Sequence, residues 1–135
     1  MRRVIAIGLL TMLAACASTG VRPLRAFEIA TGPYHAAVKE QIVGSLMYEG
    51  GCLLFVNEDR TRQLLPIWPT GTLFEESMVT FHQPAKAEQR LVVGEEVRLD
   101  GEQADWSQLD SARYAPFRQQ CGAAPIFVSG VAPAN

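Results

Sequence analysis

Residues Gly50–Gly71 read GGCLLFVNEDRTRQLLPIWPTG, and the punctuation of this stretch decides the fold. It contains two apolar runs, Cys52–Val56 and Leu64–Trp68, each long enough for a strand and too short for a helix. Between them Asn57-Glu58-Asp59-Arg60-Thr61 is a polar cluster that water solvates well and that turns the chain. Gly50-Gly51 precedes the pair and Pro69-Thr70-Gly71 follows it, so turn-formers bracket both ends. The pattern predicts a β-hairpin at the centre of a small β-rich domain.

Working outward, Ile42–Tyr48 (IVGSLMY) predicts a strand with apolar residues on both faces, joined to the hairpin by a tight Glu49-Gly50-Gly51 turn. Three strands of a meander follow, at about 42–48, 52–57 and 62–68. Pro66 has no N–H to donate to a ladder, so the third strand is expected to carry it at an edge or a bulge. Pro69–Ser77 reads as a loop with one turn of helix. Met78–His82 alternates as a half-buried strand, and Gln83–Gln89 is a polar surface connection. Leu91–Leu99 (LVVGEEVRL) places apolar positions on both sides of Gly94-Glu95-Glu96. Glu102–Tyr114 lacks strand alternation and accommodates a short helix around Trp106 and Leu109. Pro116–Gly122 reads as one or two helical turns, with Pro first and Gly just past the end. Ile126–Val131 is a last strand, and residues 132–135 are expected to fray.

The apolar–Gly–acidic–Val–x–Leu run at 91–99 resembles a recurring element of small oligonucleotide/oligosaccharide-binding (OB-like) and SH3-like barrels, in which a tight turn feeds a strand back onto the sheet. The expected fold is mainly β: a small six-stranded antiparallel barrel, OB-like, with one short helical excursion before the last strand. Such closure removes the exposed edges that a lone sheet must protect.

The chain begins with Met1-Arg2-Arg3, then an apolar run Val4–Leu13, then Leu13-Ala14-Ala15-Cys16. A positive start, an apolar stretch and small residues at its end are the layout of a secretory signal. The apolar run is about a dozen residues, well short of the roughly 20 that span a bilayer as a helix. LAAC resembles the lipobox of bacterial lipoproteins at all four positions. The resemblance implies cleavage before Cys16, a diacylglyceryl group on its thiol, and acylation of its new amine. More than one chain is what stable anchoring requires, at about 0.8 kcal/mol per buried CH₂. In the same family an Asp after the modified Cys favours retention in the inner membrane. Ala17-Ser18 lacks it, so the resemblance implies the outer membrane, facing the periplasm. The expected organisation is a cleaved signal peptide over 1–15, a lipidated tether over 16–33, and a barrel domain over 34–131. Phe27 and Ile29 in the tether are alternatively placed to dock on the domain as an added strand.

Of the 135 residues 48 % are hydrophobic and 19 % charged, a balance that argues for a packed core and against disorder. Without Arg2 and Arg3, 10 basic residues face 14 acidic ones, a charge of −4 that is no footprint for a phosphate backbone. Nucleic acid is therefore excluded as the expected partner. Lipidation of Cys16 leaves Cys52 and Cys121, which an oxidising compartment favours as a disulfide over two buried thiols.

Catalytic and cofactor patterns are sparse. His35 and His82 are the two histidines, and neither has a second ligand at a metal spacing. Glu75-Glu76 and Glu95-Glu96 are adjacent pairs, which on a strand point to opposite faces and do not share a proton. The chain is read as a non-enzyme with no cofactor and no metal. Its expected role is that of an envelope lipoprotein held in the bilayer through acylated Cys16, binding a protein partner or a cell-wall component. Trp68, Trp106 and His82 are the candidate binding surface, with Tyr48, Phe74 and Tyr114 as companions, because Trp suits a contact with one apolar and one wet side. For Trp68 the competing assignment is core filler. The alternative function is a secreted polysaccharide-active or hydrolytic module using His82 and nearby carboxylates.

Overall fold

The computed structural model describes residues 20–134, so the signal segment and Cys16 lie outside the described residues. Nine strands, one 3-10 turn and one α-helix follow in order. They are β1 (Thr31–Gly32), β2 (Glu40–Glu49), β3 (Cys52–Asn57), β4 (Gln63–Pro69), β5 (Leu73–Glu75), β6 (Met78–Phe81), β7 (Gln89–Val92), β8 (Glu96–Gln103), α1 (Ser111–Cys121) and β9 (Ala124–Pro133). The 3-10 turn, Trp106–Gln108, precedes α1. No helix among the described residues is long and apolar enough to cross a membrane.

The hairpin predicted at the centre of the domain forms as β3 and β4. Its β3–β4 loop is tied by Asn57, whose Oδ1 accepts from Arg62 N–H at 2.7 Å, and by Asp59, whose Oδ1 accepts from Thr61 N–H at 3.1 Å. The β2–β3 connection is the two-residue Gly50-Gly51 turn, with φ of 60° and 79°, between the register partners Glu49 and Cys52. Positive φ at both central residues is what this tight hairpin turn demands, and Gly supplies it without strain.

Both faces of the hairpin are buried, which is why its apolar runs are continuous. Leu53, Phe55, Leu64 and Trp68 join the main core with Leu46, Phe81, Leu99 and Ile126. The alternate residues Cys52, Leu54, Leu65 and Ile67 face a second cluster formed with Tyr114 and Phe117 of α1. The helix contributes a narrow stripe, Tyr114, Phe117 and Cys121, at helical spacing, and its exposed positions are polar apart from Ala112. A disulfide between Cys52 and Cys121, with Cα atoms 5.7 Å apart, ties the end of α1 to the start of β3.

The larger sheet has the order β1-β4-β3-β2-β8-β9, and β4 also pairs with β9. Pairing therefore passes from β4 through β3, β2, β8 and β9 and returns to β4. β2 makes this turn possible by pairing with β8 over Glu40–Ser45 and with β3 over Gly44–Glu49. At the crossover sits Gly44, where a Cβ would run into the Val56 carbonyl oxygen. β8 and β9 bend at a bulge beside Asp100/Gly101, where Ser129 is left without a register partner and its hydroxyl donates to Ala37 O. The second sheet, β5-β6-β7, lays Phe74, Val79, Phe81 and Leu91 onto the main core.

The mainly β expectation holds, as does a helix immediately before the last strand. A single six-stranded antiparallel barrel does not describe the molecule: nine strands divide between two sheets, and the β1–β4 and β4–β9 pairings are parallel. Pro66 is buried in β4, and the β3–β4 ladder ends at Leu64, two positions before it. The helix begins at Ser111 rather than Pro116, because Asp110 caps it from outside; Pro116 falls inside it. Residues 73–75 form a strand rather than part of a loop. The end expected to fray is paired: Ala132 lies opposite Arg98 and Pro133 opposite Val97. Upstream, Leu24 packs on the helix-side cluster, Ala30 is buried, and β1 runs parallel to β4, so this stretch docks on the domain.

Candidate functional site

Two aspartates build the walls of one groove. Asp105 caps the 3-10 turn: its Oδ1 accepts from the Ser107 N–H at 2.8 Å and from the Ser107 hydroxyl at 2.7 Å. These bonds, the backbone one foremost, hold the Asp105 carboxyl below the usual carboxylate range. Five residues on, Asp110 Oδ1 accepts from the Ala112 and Arg113 N–H groups at 3.0 and 3.4 Å and opens α1. Trp106 and Leu109 then stand against Tyr114, Ala115, Arg118 and Gln119 of the helix, and the space between measures about 330 Å³.

Trp106 is half-buried, packed on the helix-side cluster with its remaining surface toward the groove. Tyr114 is buried, its hydroxyl donates to Thr31 O at 3.2 Å, and the Arg113 guanidinium lies 5.7 Å from its ring centre. Burial pushes the Tyr114 phenol up from its usual value. Asp110 and Arg118 put opposite charges on the lining. An aromatic wall, an apolar floor and a few hydrogen-bonding groups form the composition of a recognition groove.

The other sequence candidates scatter. Trp68 has no exposed surface; it packs edge-on against Phe81 at 5.8 Å, and its Nε1–H is buried without an acceptor. It is core, and it leaves the candidate surface because both faces of β4 are covered. His82 lies at the end of β6, about half exposed, with Nε2 3.4 Å from Glu88 Oε2; Glu88 also holds Arg90 at 3.1 Å. It rims a shallow hollow with Tyr34, Thr70 and Gln83, away from Trp106. Tyr48 and Phe74 meet each other, with ring centres 5.1 Å apart, but not the groove. Thus Trp106 and Tyr114 come together and Trp68 and His82 do not join them.

A broader hollow of about 740 Å³ crosses β2 and β3 over Gly44, Asn57, Arg60 and Glu96; it is more polar. Among the described residues no group of three or more His, Cys, Asp or Glu side chains is placed to hold a metal ion. The chain matches no family model, no curated protein and no solved structure. The groove residues that sequence reasoning missed are Leu109, Asp110, Ser111, Ala115, Arg118 and Gln119. The available signal was the pair of caps, Asp105-Trp106-Ser107 and Asp110-Ser111-Ala112, which mark two successive helical starts.

Proposed function

We propose that the chain is a lipid-anchored protein of the cell envelope that binds a protein partner or cell-wall component in the Trp106 groove without chemical turnover. The observation that carries this is the groove itself: a half-buried Trp facing a capped helix across about 330 Å³. Placement in the outer membrane, facing the periplasm, rests on the Leu13-Ala-Ala-Cys16 ending and on Ala17-Ser18 after it. The Cys52–Cys121 bridge supports export, since structural disulfides persist where the surroundings are oxidising. For the fold, the cyclic pairing of β4, β3, β2, β8 and β9, with its one parallel junction, supports an OB-like arrangement that carries β5-β6-β7 as an insertion.

Two measurements test this. The intact mass of membrane-extracted protein should correspond to a chain that starts at an acylated Cys16. A photoreactive residue at Gln119, on the groove, should cross-link in cells to an envelope component, and W106A should abolish the adduct. An adduct indifferent to W106A removes the groove from the function. The His82–Glu88 contact favours a second reading, a hydrolytic module; H82N without effect on cell-wall polysaccharide turnover excludes it.

A further inference from the structure

Among the described residues four large apolar side chains stay exposed: Phe27, Val38, Leu73 and Val92. Leu73 and Val92 stand on the outer face of β5-β6-β7, since their sequence neighbours Phe74 and Leu91 point into the core. Phe27 lines one hollow with Leu73 and Phe74.

Phe27 is the anomaly. Residues 25–28 form a turn, closed by the Glu28 N–H donating to Arg25 O at 3.2 Å. Its third residue, Phe27, has φ of 66°, a conformation that costs a residue with a Cβ about 1–2 kcal/mol and that turns usually give to Gly. The residue is nonetheless 59 % exposed. It is also held in place: its N–H donates to the Tyr48 hydroxyl at 3.2 Å, and its ring stacks on Tyr48 with centres 6.1 Å apart. A position suited to Gly thus carries a large apolar ring, braced from behind and presented outward.

The place of this turn in the chain indicates what it faces. Leu24 is packed on the domain, so only eight positions separate Cys16 from a fixed point. Fully extended, that lead spans at most about 29 Å. The charges nearby are mixed, with carboxylates in excess: Arg25 and Glu28 on the turn, Glu75 and Glu76 at the hollow, and Arg90 on the outer sheet face, bonded to Glu88. This balance suits a zwitterionic surface rather than an anionic one. We propose that Phe27, with Leu73 and Val92, enters the headgroup boundary of a zwitterionic phospholipid bilayer, so that the domain rests on the membrane that anchors it. Phe and Leu are among the side chains that interfacial segments bury at that boundary. The inference rests on the lipid anchor for its reach.

The test uses the full lipidated chain in phosphatidylcholine vesicles with brominated acyl chains, which quench nearby Trp emission. Single substitutions F27W and L73W each add a reporter to the native Trp68 and Trp106, and V38W is the control. Val38 precedes β2, and Tyr48, which braces Phe27, lies at the other end of that ten-residue strand. The expected result is a loss of the added emission for F27W and L73W and none for V38W. No loss at either position, or an equal loss at Val38, overturns the proposal. The intact mass of the same sample separates this from the anchor. If Cys16 is acylated and F27W stays bright, the contact falls and the anchor stands. If Cys16 is unmodified, the protein is mixed with the same vesicles: quenching of F27W keeps the contact without the anchor, and its absence ends both.

Discussion

Reduction of the Cys52–Cys121 bridge should destabilise the domain by an amount set by the loop it closes. The two cysteines are 69 positions apart, so opening the bridge frees a long loop in the unfolded chain. Chain-entropy arithmetic puts the loss at about 4 kcal/mol, a large share of the roughly 5–15 kcal/mol that holds a domain of this size. The native side changes little, because Cys52 is buried and reduced thiols pack as small hydrophobes. Urea titrations with and without reductant read the difference directly. The midpoint should fall and the m value should rise, because the opened unfolded chain exposes more surface. The thermal midpoint should drop by about 15 °C. A loss below about 1 kcal/mol would refute the reasoning, since it would mean that the unfolded chain stays confined around the hairpin without the bridge.

G44A should destabilise by about 3 kcal/mol or more, because the added Cβ meets the Val56 carbonyl oxygen and backbone yields less than a side chain; denaturant titration checks it. Tyr114 stays neutral in the fold to higher pH than in the unfolded chain, so stability is full below about pH 10 and declines as pH rises through the raised value. Y114F should lose about 1 kcal/mol with the bond to Thr31 O, and should lose Tyr114's share of the alkaline decline; titrations at several pH values compare the slopes.

The parts of the fold legible in the sequence are those whose signals are local. Cys52–Val56 and Leu64–Trp68 announced their strands because continuous apolar runs mark segments buried on both faces, and here the main core lies on one side and α1 on the other. Gly50-Gly51 announced its turn because both positions take positive φ, which Gly adopts without strain. The β5–β6 hairpin was hidden, because its two turn residues, Glu76 and Ser77, take φ of 50° and 66° without the Gly or Asn that normally signals this conformation. The helix start is hidden because Pro116 is a strong first-turn signal inside the helix, while the capping Asp110 is one polar residue in a polar segment. In the site, Trp68 and Trp106 are alike as residue types, and only tertiary packing separates them. β4 is covered on both faces by elements far away in sequence, whereas Trp106 lies on a 3-10 turn with no buried residue of its own.

The same packing joins the groove to the segment that precedes β1. Leu24, Trp106 and Leu109 all lean on one apolar cluster, and Tyr114 on the opposite wall bonds the Thr31 carbonyl of β1. A domain held to a bilayer at one flexible point swings, and its groove samples many orientations. In the proposed arrangement, held at Cys16 and again at Phe27, it keeps one face down. The proposed partner would then meet the groove at a fixed height, and less orientational freedom would be lost on binding. L24A should therefore lower the yield of the proposed cross-link from Gln119 without touching a groove residue, because it loosens the cluster beneath the groove; an unchanged yield would break this link between the segment and the groove.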